Sequence, residues 1–598
     1  MERGVIGGSI NRLEIRVDVF LAELHALRDI RTMFQENVTF GPRLDAQLRS
    51  LGSDRKAREA AVQADIHVDL GKLQIELENA GFKRQLKQFQ LENLANLMRL
   101  PHGADFSVPG AGKTTVALAN YALGKSRGKV KQMLVVGPLA AFQAWKEDSV
   151  KCLSPHPKLT VHSTGGHTIP ENTELLLTNY NRLSMDYDII RAFVSRRPTQ
   201  IVLDEAQRVK RGQQGVHGRA VLDLAYAAAR RDVLTGTPAP QGAFDLIALI
   251  RFLYPGQDHQ ILPASVYVEK DGRDPNVLAD TAAAVSRYFV RTPKSRLQLP
   301  PTRFNVIVKE MGPVQRAIYD ALLGRYSGQF KLQTTSRREF DRLGRIIMYL
   351  LEAASNPMLL PAGSEPNDDT GFTHPPIDLV GDEPLARLLA DYQTYERPWK
   401  YEKISEIVKD AASRGEKVLI WSTFVRNLKS LARELQSYEP ALIHGGVPPE
   451  DGAPLGVITR EAELDRFRND PNCTVLLANP AAAGEGISLH HWCHHAVYLD
   501  RTFNAGSFLQ SQDRIHRLGL ADDVLTTFTL LISADSIDES VDVRLRDKVG
   551  ALAQLMDDPG LVQGALPEAD EGDASPLVFT DDIQAVQSHL LKTTKRAS

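Results

Sequence analysis

Residues 107–114 read Ser-Val-Pro-Gly-Ala-Gly-Lys-Thr, and the apolar run VALANYAL follows at 116–123 in a helix-favouring pattern. Glycines at 110 and 112 let backbone N–H groups approach an oxyanion, and a helix N-terminus behind them adds the positive end of a dipole. Lys113 then suits the β- and γ-phosphates of a nucleotide, and the Thr114 hydroxyl suits magnesium. The usual first residue of such a loop is glycine; here it is Ser107, outside the stretch Gly110–Thr114 that carries the geometry. Further on, the apolar run Ile201–Leu203 ends in Asp204-Glu205-Ala206-Gln207. An acid at the C-terminal end of a parallel strand lies on the edge where α/β sheets bind ligands. Asp204 is expected to hold magnesium together with Thr114, and Glu205 to orient or deprotonate an attacking water. One strand-end acid is commonly a matter of solubility. Two in succession, downstream of a phosphate loop, point to ATP hydrolysis.

Outward from this loop, short apolar runs alternate with helical stretches. Between about 80 and 255 the runs are Met133–Val136, Leu175–Leu177, Ile201–Leu203 and Asp232–Leu234. After 415 they return as Val418–Trp421, Ala441–Ile443, Thr474–Leu477 and Ala496–Leu499. Continuous apolar strands separated by helices imply parallel sheets covered on both faces. The expected fold class is therefore α/β, with two parallel-sheet lobes, a helical insertion between them and a small α+β N-terminal appendage. The expected boundaries are 1–79 for the appendage, 80–300 for the first lobe, 301–400 for the insertion and linker, 401–548 for the second lobe and 549–598 for an acidic tail. Within the appendage, Leu13, Ile15, Val17 and Val19 alternate with polar residues, as do Ile66, Val68 and Leu70, the pattern of half-buried strands. Residues 361–385 and 557–576 are rich in Pro, Gly and acids and are expected to be a surface loop and a flexible tail.

The composition sets the wider bounds. The 598 residues are 43% hydrophobic and 24% charged, with a net charge of -3, so a globally polybasic binder is excluded while a local basic groove is not. The three cysteines, Cys152, Cys473 and Cys493, exclude a disulfide scaffold and suit a reducing cytoplasm. No run approaches the length of a membrane span, and the first residues lack a signal-peptide core, so the expectation is a cytoplasmic protein with no membrane partner.

In the second lobe, residues 510–517 read Gln-Ser-Gln-Asp-Arg-Ile-His-Arg. Arg514 and Arg517 are three apart and on a helix would face one way, presenting two guanidinium groups to the charge that develops on a triphosphate. With this segment the sequence resembles helicase superfamily two, and within it the Swi/Snf family of ATP-driven DNA translocases, in a bacterial or phage type. The resemblance covers about residues 82–548 in the family's order of motifs. Leu86–Gln90 is similar to the Q motif, Ser107–Thr114 to motif I, Val135–Leu139 with Trp145 to motif Ia, and Thr178-Asn179-Tyr180 to Ib. Asp204–Gln207 stands as motif II and Leu234–Pro238 as motif III. Residues 287–291, Leu299-Pro300-Pro301, Gln315, Tyr319 and Asn356-Pro357 resemble the stretch through the family's helical insertion. Residues 417–424, 483–489 and 510–517 are like motifs IV, V and VI, and 535–539 resembles the segment that follows them. Three positions depart from the family pattern: Val108-Pro109 before Gly110 in place of an acidic residue and Met, Gln207 where His is usual, and Leu520 where Gln is common.

The resemblance implies two RecA-like lobes that trap ATP and magnesium between them, the first supplying Lys113, Thr114, Asp204 and Glu205 and the second Arg514 and Arg517. It implies that Gln90 reads adenine, that Gly110, Gly112 and Gly486 take the nucleotide, and that Thr178, Asn179, Ser422, Thr423 and Gly484 meet a nucleic-acid backbone. Such contacts are blind to base sequence and weaken steeply with salt. The implied function is an ATP-hydrolysing double-stranded DNA translocase or remodeller. The alternatives are a strand-separating DNA or RNA helicase and an ATP-switched binding subunit of a DNA repair or anti-phage defence complex. Protein partners are expected through residues 1–79 or the tail. Arg338, Arg342 and Arg345, spaced along one helix face, and Arg208, Lys210 and Arg211 after motif II are secondary candidates for DNA contact. His490-His491-Trp492-Cys493-His494-His495 has the residue types of a zinc site but one contiguous run rather than two separated pairs, so packing is its expected role.

Overall fold

The computed structural model describes residues 5–9, 12–15, 42–63, 68–163, 168–210, 212, 215–239, 242–268, 274–326, 337–368, 374–448, 450, 454, 456–483, 487–503 and 505–556. The chain divides into two compact units, the first built on residues up to Arg296 and the second on Leu297–Gly550.

The first unit begins with an antiparallel pair, β1 (Val5–Ser9) and β2 (Arg12–Ile15). Its centre is a seven-stranded sheet of β3 (Gly103–Asp105), β4 (Gln132–Val136), β5 (Leu159–His162), β6 (Leu175–Thr178), β7 (Thr199–Asp204), β8 (Arg230–Leu234) and β9 (Phe289–Val290). The order is β5-β6-β4-β7-β8-β3-β9 and every pairing is parallel. All four apolar runs expected to be strands here are strands. β4, β6 and β7 are buried along their whole length, which is why they read as unbroken apolar runs rather than as alternation. The helix Lys113–Ser126 buries every residue from Thr115 to Leu123 and joins Leu94, Met133, Trp145 and Leu177 in one core.

The N-terminal stretch departs from its expected form. Leu70, expected to close a strand, opens the helix Leu70–Asn79, because Asp69 caps it by accepting from the N–H groups of Gly71 (3.0 Å) and Lys72 (3.2 Å). That helix buries Leu73 and Leu77 in the first unit's core. Leu13 and Ile15 do lie in β2; Val17, Val19 and Ile66 fall outside the described residues. The helix Pro42–Gln63 is tied to the sheet by buried polar groups. Asp54 pairs with the buried Arg231 of β8 (2.7 Å) and with His102 (2.8 Å), and Arg58 lies over the Tyr254 ring.

The second unit holds a six-stranded parallel sheet of β10 (Thr302–Lys309), β11 (Val418–Trp421), β12 (Ala441–Ile443), β13 (Val475–Ala478), β14 (His495–Tyr498) and β15 (Thr526–Ser533). The order is β10-β15-β14-β11-β13-β12. β10 corrects the reading of 300–400 as mainly helical. It is an edge strand with Phe304, Val306 and Val308 exposed, so it lacks the buried apolar run that marks the other strands. Beyond it the stretch is helical, in Pro313–Tyr326, Arg337–Ser355 and Glu383–Tyr395, which share a core with Phe424, Phe503 and Ile537. Residues 361–368 and 374–382 are loop, anchored by the buried Ile377 and ended by Asp382, whose carboxylate caps the helix Glu383–Tyr395. The tail from 557 onward lies outside the described residues. Among the described residues no helix is long and apolar enough to cross a membrane.

Candidate active site

Parallel strands bring the phosphate loop and the Asp-Glu pair to the same edge of the first sheet. The loop follows the C-terminal end of β3 and Asp204 closes β7, with β8 lying between them. The intervening strand leads into Thr235-Gly236-Thr237, so three segments expected to be functional emerge on adjacent strands.

The loop is built as its residues require. Gly110 and Gly112 have φ of 85° and 86°, the left-handed region glycine tolerates. A Cβ on Gly112 would fall 2.3 Å from the Gln90 amide nitrogen. Gln90 is buried and braces the loop, donating from Nε2 to the Ala111 carbonyl (2.9 Å) and accepting at Oε1 from the Lys87 N–H (3.0 Å). Lys113 heads its helix and donates from Nζ across the loop to the Ser107 carbonyl (2.8 Å). Ser107 explains its own departure from glycine. Its hydroxyl accepts from the Thr292 N–H (2.9 Å) and from Asn93 Nδ2 (3.2 Å), fastening the loop to the segment after β9. Below the loop, burial raises the carboxyl of Asp105 above the usual range, against the opposing pull of Lys113.

Asp204 is oriented from two sides. Trp145 Nε1 donates to its Oδ2 (2.8 Å) and the Glu205 N–H to its Oδ1 (3.1 Å), while the Tyr180 hydroxyl donates to its carbonyl (2.8 Å). Glu205 stands at φ 50°, a left-handed conformation rare for a side-chain-bearing residue and typical of sites where strain serves function. Its Oε2 accepts from Gln207 Nε2 (3.0 Å), and Gln207 Oε1 accepts from the Thr235 hydroxyl (2.6 Å), which in turn accepts from the Thr237 N–H (3.0 Å). Gly236 sits where a Cβ would lie 2.8 Å from Pro109 Cδ. The Asp-Glu pair, the Thr235 segment and the phosphate loop thus form one connected edge. Trp145, Thr235 and Gln207 lay in quoted motifs, but their links to the acids had no sequence signal; neither had the roles of Asn93 and Thr292.

The other expected site residues are placed differently. The Thr178 hydroxyl is buried and donates to the His162 carbonyl (3.0 Å), and Asn179 caps the helix Tyr180–Met185 by accepting from the Arg182 N–H (2.7 Å). In the second unit Ser422 donates to Asp500 Oδ2 (2.6 Å) and the Thr423 N–H to Oδ1 (2.6 Å), both buried. In this structure all four make hydrogen bonds within their own unit. Gly484, Gly486 and Arg211 fall outside the described residues, as does the side chain of Arg338; Arg342 and Arg345 are exposed.

Arg514 and Arg517 do not share a helix face, because the helix Ala505–Gln512 ends before them and a turn carries both. They converge nonetheless. Arg514 donates to the Ile487 carbonyl (3.1 Å) and Arg517 to the Ser488 hydroxyl (2.5 Å), and the Leu489 N–H pins the turn by donating to the Arg514 carbonyl (2.9 Å). Burial, with the charge of Arg514 beside it, pushes Arg517 down to about 10. The His/Cys run is occupied with packing. Cys493 donates to the Lys417 carbonyl (3.3 Å), His494 meets the His490 carbonyl (2.9 Å) and His495 the Thr529 hydroxyl (2.9 Å), and among the described residues no set of metal-ligating side chains converges.

A parallel α/β sheet with a phosphate loop and a strand-end Asp-Glu pair defines the class of P-loop nucleotide-binding proteins. The SNF2-related domain model matches residues 106–359 and the helicase conserved C-terminal domain model residues 399–519, and the chain belongs to the SNF2-related family. It is similar to the ATP-dependent helicase FUN30 of Saccharomyces cerevisiae, 23% identical over 75% of this chain and 44% of that protein. To the lymphoid-specific helicase of Homo sapiens it is 24% identical over 72% of this chain and 58% of the other. The chain thus spans about half the length of these curated relatives. Among solved structures it is similar to the Sulfolobus solfataricus SWI2/SNF2 ATPase core in complex with dsDNA, at 21% identity and TM-score 0.34, over 77% of this chain and 91% of that one.

Proposed function

We propose that the chain is a DNA-dependent ATPase that translocates along duplex DNA and remodels what is bound to it. The observation that carries this is the connected edge of the first sheet, where Pro109 of the phosphate loop meets Gly236 and Glu205 is joined to Thr235 through Gln207. The glycine cradle fits a nucleotide's phosphates, with Lys113 at the helix N-terminus to meet them. The Thr114 hydroxyl and the oriented Asp204 carboxylate are the hard oxygen donors that would hold magnesium. Magnesium, when bound, neutralises charge on the β- and γ-phosphates. Glu205 orients and takes the proton of the attacking water, held in place by Gln207. Arg514 and Arg517 are the second unit's proposed contribution of positive charge.

A change at the γ-phosphate reaches Thr235 through Glu205 and Gln207, which gives hydrolysis a mechanical output in the first unit. Duplex DNA as the track is supported by membership of a family whose relatives include chromatin-remodelling proteins and ATP-dependent helicases by name. The buried free thiols Cys152, Cys473 and Cys493 support a reducing cytoplasm, in a bacterial or phage setting given the compact insertion. The test is ATP hydrolysis by the full chain with no nucleic acid, single-stranded DNA, duplex DNA or RNA, beside Glu205→Gln. Stimulation by duplex DNA that is lost in the variant is the expected result. Stimulation only by single strands or RNA would replace this reading with a helicase, and indifference to all nucleic acids with an ATP-switched binding subunit.

A further inference from the structure

Behind the phosphate loop, on the far side of Asn93, a cavity of about 320 Å³ opens between the helix Gln88–Arg99 and β9. Four arginines line it, Arg99 and Arg291 half-buried and Arg287 and Arg296 exposed, with one carboxylate, Glu92, in the lining; Arg291 also meets the charge of Asp105. The Glu92 carboxylate is taken by Arg296 (3.1 Å). Arg287 donates to the Val62 carbonyl, a neutral partner (2.6 Å). Arg99 has a buried Nε with no hydrogen-bond partner, and neither it nor Arg287 meets a carboxylate among the described residues. A guanidinium nitrogen buried without a partner is costly, and a lining whose positive charge exceeds its negative charge suits an anion from outside the chain.

We propose that this cavity is a second anion site, separate from the phosphate loop, and that it takes a small molecule bearing one or two phosphoryl groups. The volume is at the lower end of small-molecule sites, which run from about 300 to 1,000 Å³. It accommodates an oxyanion of pyrophosphate size and excludes a large cofactor. The concavity favours a free small anion over a nucleic-acid backbone, because a duplex presents a convex surface that does not reach the buried Arg99 Nε. Planar guanidinium groups match phosphoryl oxygens two at a time, which a row of lysines would not do.

The site shares a wall with the nucleotide loop. Asn93, on the cavity lining, donates to Ser107 Oγ and to Thr292 Oγ1 (2.9 Å), and Arg291 donates to the Phe106 carbonyl at the base of the loop (2.6 Å). An anion held here therefore touches the residues that fasten Ser107.

The test is titration calorimetry on the full chain, with the phosphate loop saturated by a non-hydrolysable ATP analogue and magnesium, and inorganic pyrophosphate as the probe. One further site per chain is expected. The Arg99→Gln, Arg287→Gln double variant should weaken it about tenfold or more, the loss of a charge-assisted contact or two. Ser286→Glu, at an exposed lining position, supplies the missing carboxylate and should abolish it while leaving the fold intact. Analogue affinity should be unchanged in both. No pyrophosphate heat in the wild type up to millimolar concentration, or binding retained in both variants, overturns the proposal. So does a result in which these variants lose affinity for a short DNA duplex while pyrophosphate never binds.

Discussion

In each of the two sheets an acid stands at or just beyond the end of a buried apolar strand, Asp204 closing β7 and Asp500 following β14, and both are almost wholly buried. Their surroundings differ. Asp204 shares its sheet edge with a glycine loop and is followed by Glu205. Asp500 accepts from Ser422 Oγ (2.6 Å), the Thr423 N–H (2.6 Å), Asn427 Nδ2 (3.1 Å) and Ser355 Oγ (3.4 Å), a ring of donors drawn from its own unit. Burial nevertheless holds its carboxyl above the usual range. On the proposed function, the same strand-end position serves chemistry in one lobe and architecture in the other, and the neighbouring loop decides which. Where the neighbouring loop carries Gly110 and Gly112 at positive φ, the backbone is shaped as a phosphate cradle requires. Where Ser422 and Thr423 follow β11, the hydroxyl and N–H turn inward onto the acid.

The sharpest way to break this contrast is to neutralise an acid on each side. Glu205→Gln should lower ATP turnover about 10³-fold, the range for removing a general base, with nucleotide affinity retained. Asp500→Asn should leave nucleotide affinity unchanged, read by titration of the same ATP analogue. If Asp500→Asn abolished nucleotide binding, the two lobes would not divide the work as described. Next in size is Asp500→Ala, expected to cost the second unit about 3 kcal/mol in denaturant unfolding, because it leaves buried donors unsatisfied. Asp500→Asn should cost less, since its Oδ1 can still accept from Thr423.

Much of this edge was legible in the sequence, and the reasons are physical. Phosphate binding needs glycine at positive φ and a lysine at a helix N-terminus, so Gly110, Gly112 and Lys113 are constrained in type and in spacing. Fully buried parallel strands are apolar along most of their length, so β4, β6, β7 and β11 announced themselves. β10 did not, because an edge strand exposing Phe304, Val306 and Val308 lacks that signature. Leu70 misled because alternation over three residues is outweighed by the Asp69 cap. The three-residue spacing of Arg514 and Arg517 implies a shared face only if the helix continues, and it stops at Gln512. Thr178 and Ser422 were expected at a nucleic-acid backbone from the resemblance alone; burial of each hydroxyl depends on neighbours distant in sequence, His162 and Asp500.

A smaller effect sharpens the catalytic side. Gln207 links Glu205 Oε2 to the Thr235 hydroxyl through its two amide atoms. Gln207→Ala should lower kcat about tenfold, the equivalent of one lost buried hydrogen bond, with KM held. Thr235→Val should do the same, and the double variant should lose little more than either alone, because residues that act as a unit are not additive. Fully additive losses would mean that the two side chains act on Glu205 separately.

The last contrast is one of sign with pH. In the first unit, burial together with the charge of Arg231 pushes His102 down to about 3, from 6.5 in an exposed histidine. Between those values the unfolded chain binds the proton and the folded chain does not. His102 therefore contributes stability that is complete above about pH 6.5 and is lost as pH falls, at up to about 1.4 kcal/mol per pH unit. Asp500 in the second unit runs the other way. Its folded carboxyl is raised above 3.8, so the folded chain holds the proton more tightly, and its contribution is fully present below that pH and is lost as pH rises through the folded value. Melting curves of the full chain from pH 7 to 4 should show His102→Gln closing its stability gap to the wild type as acid is added, since the variant has no proton to gain. Asp500→Asn should show its gap widening over the same range, because the wild type alone gains a proton on folding. Gaps that move in the same direction would mean that these two buried groups do not set the pH response of their units.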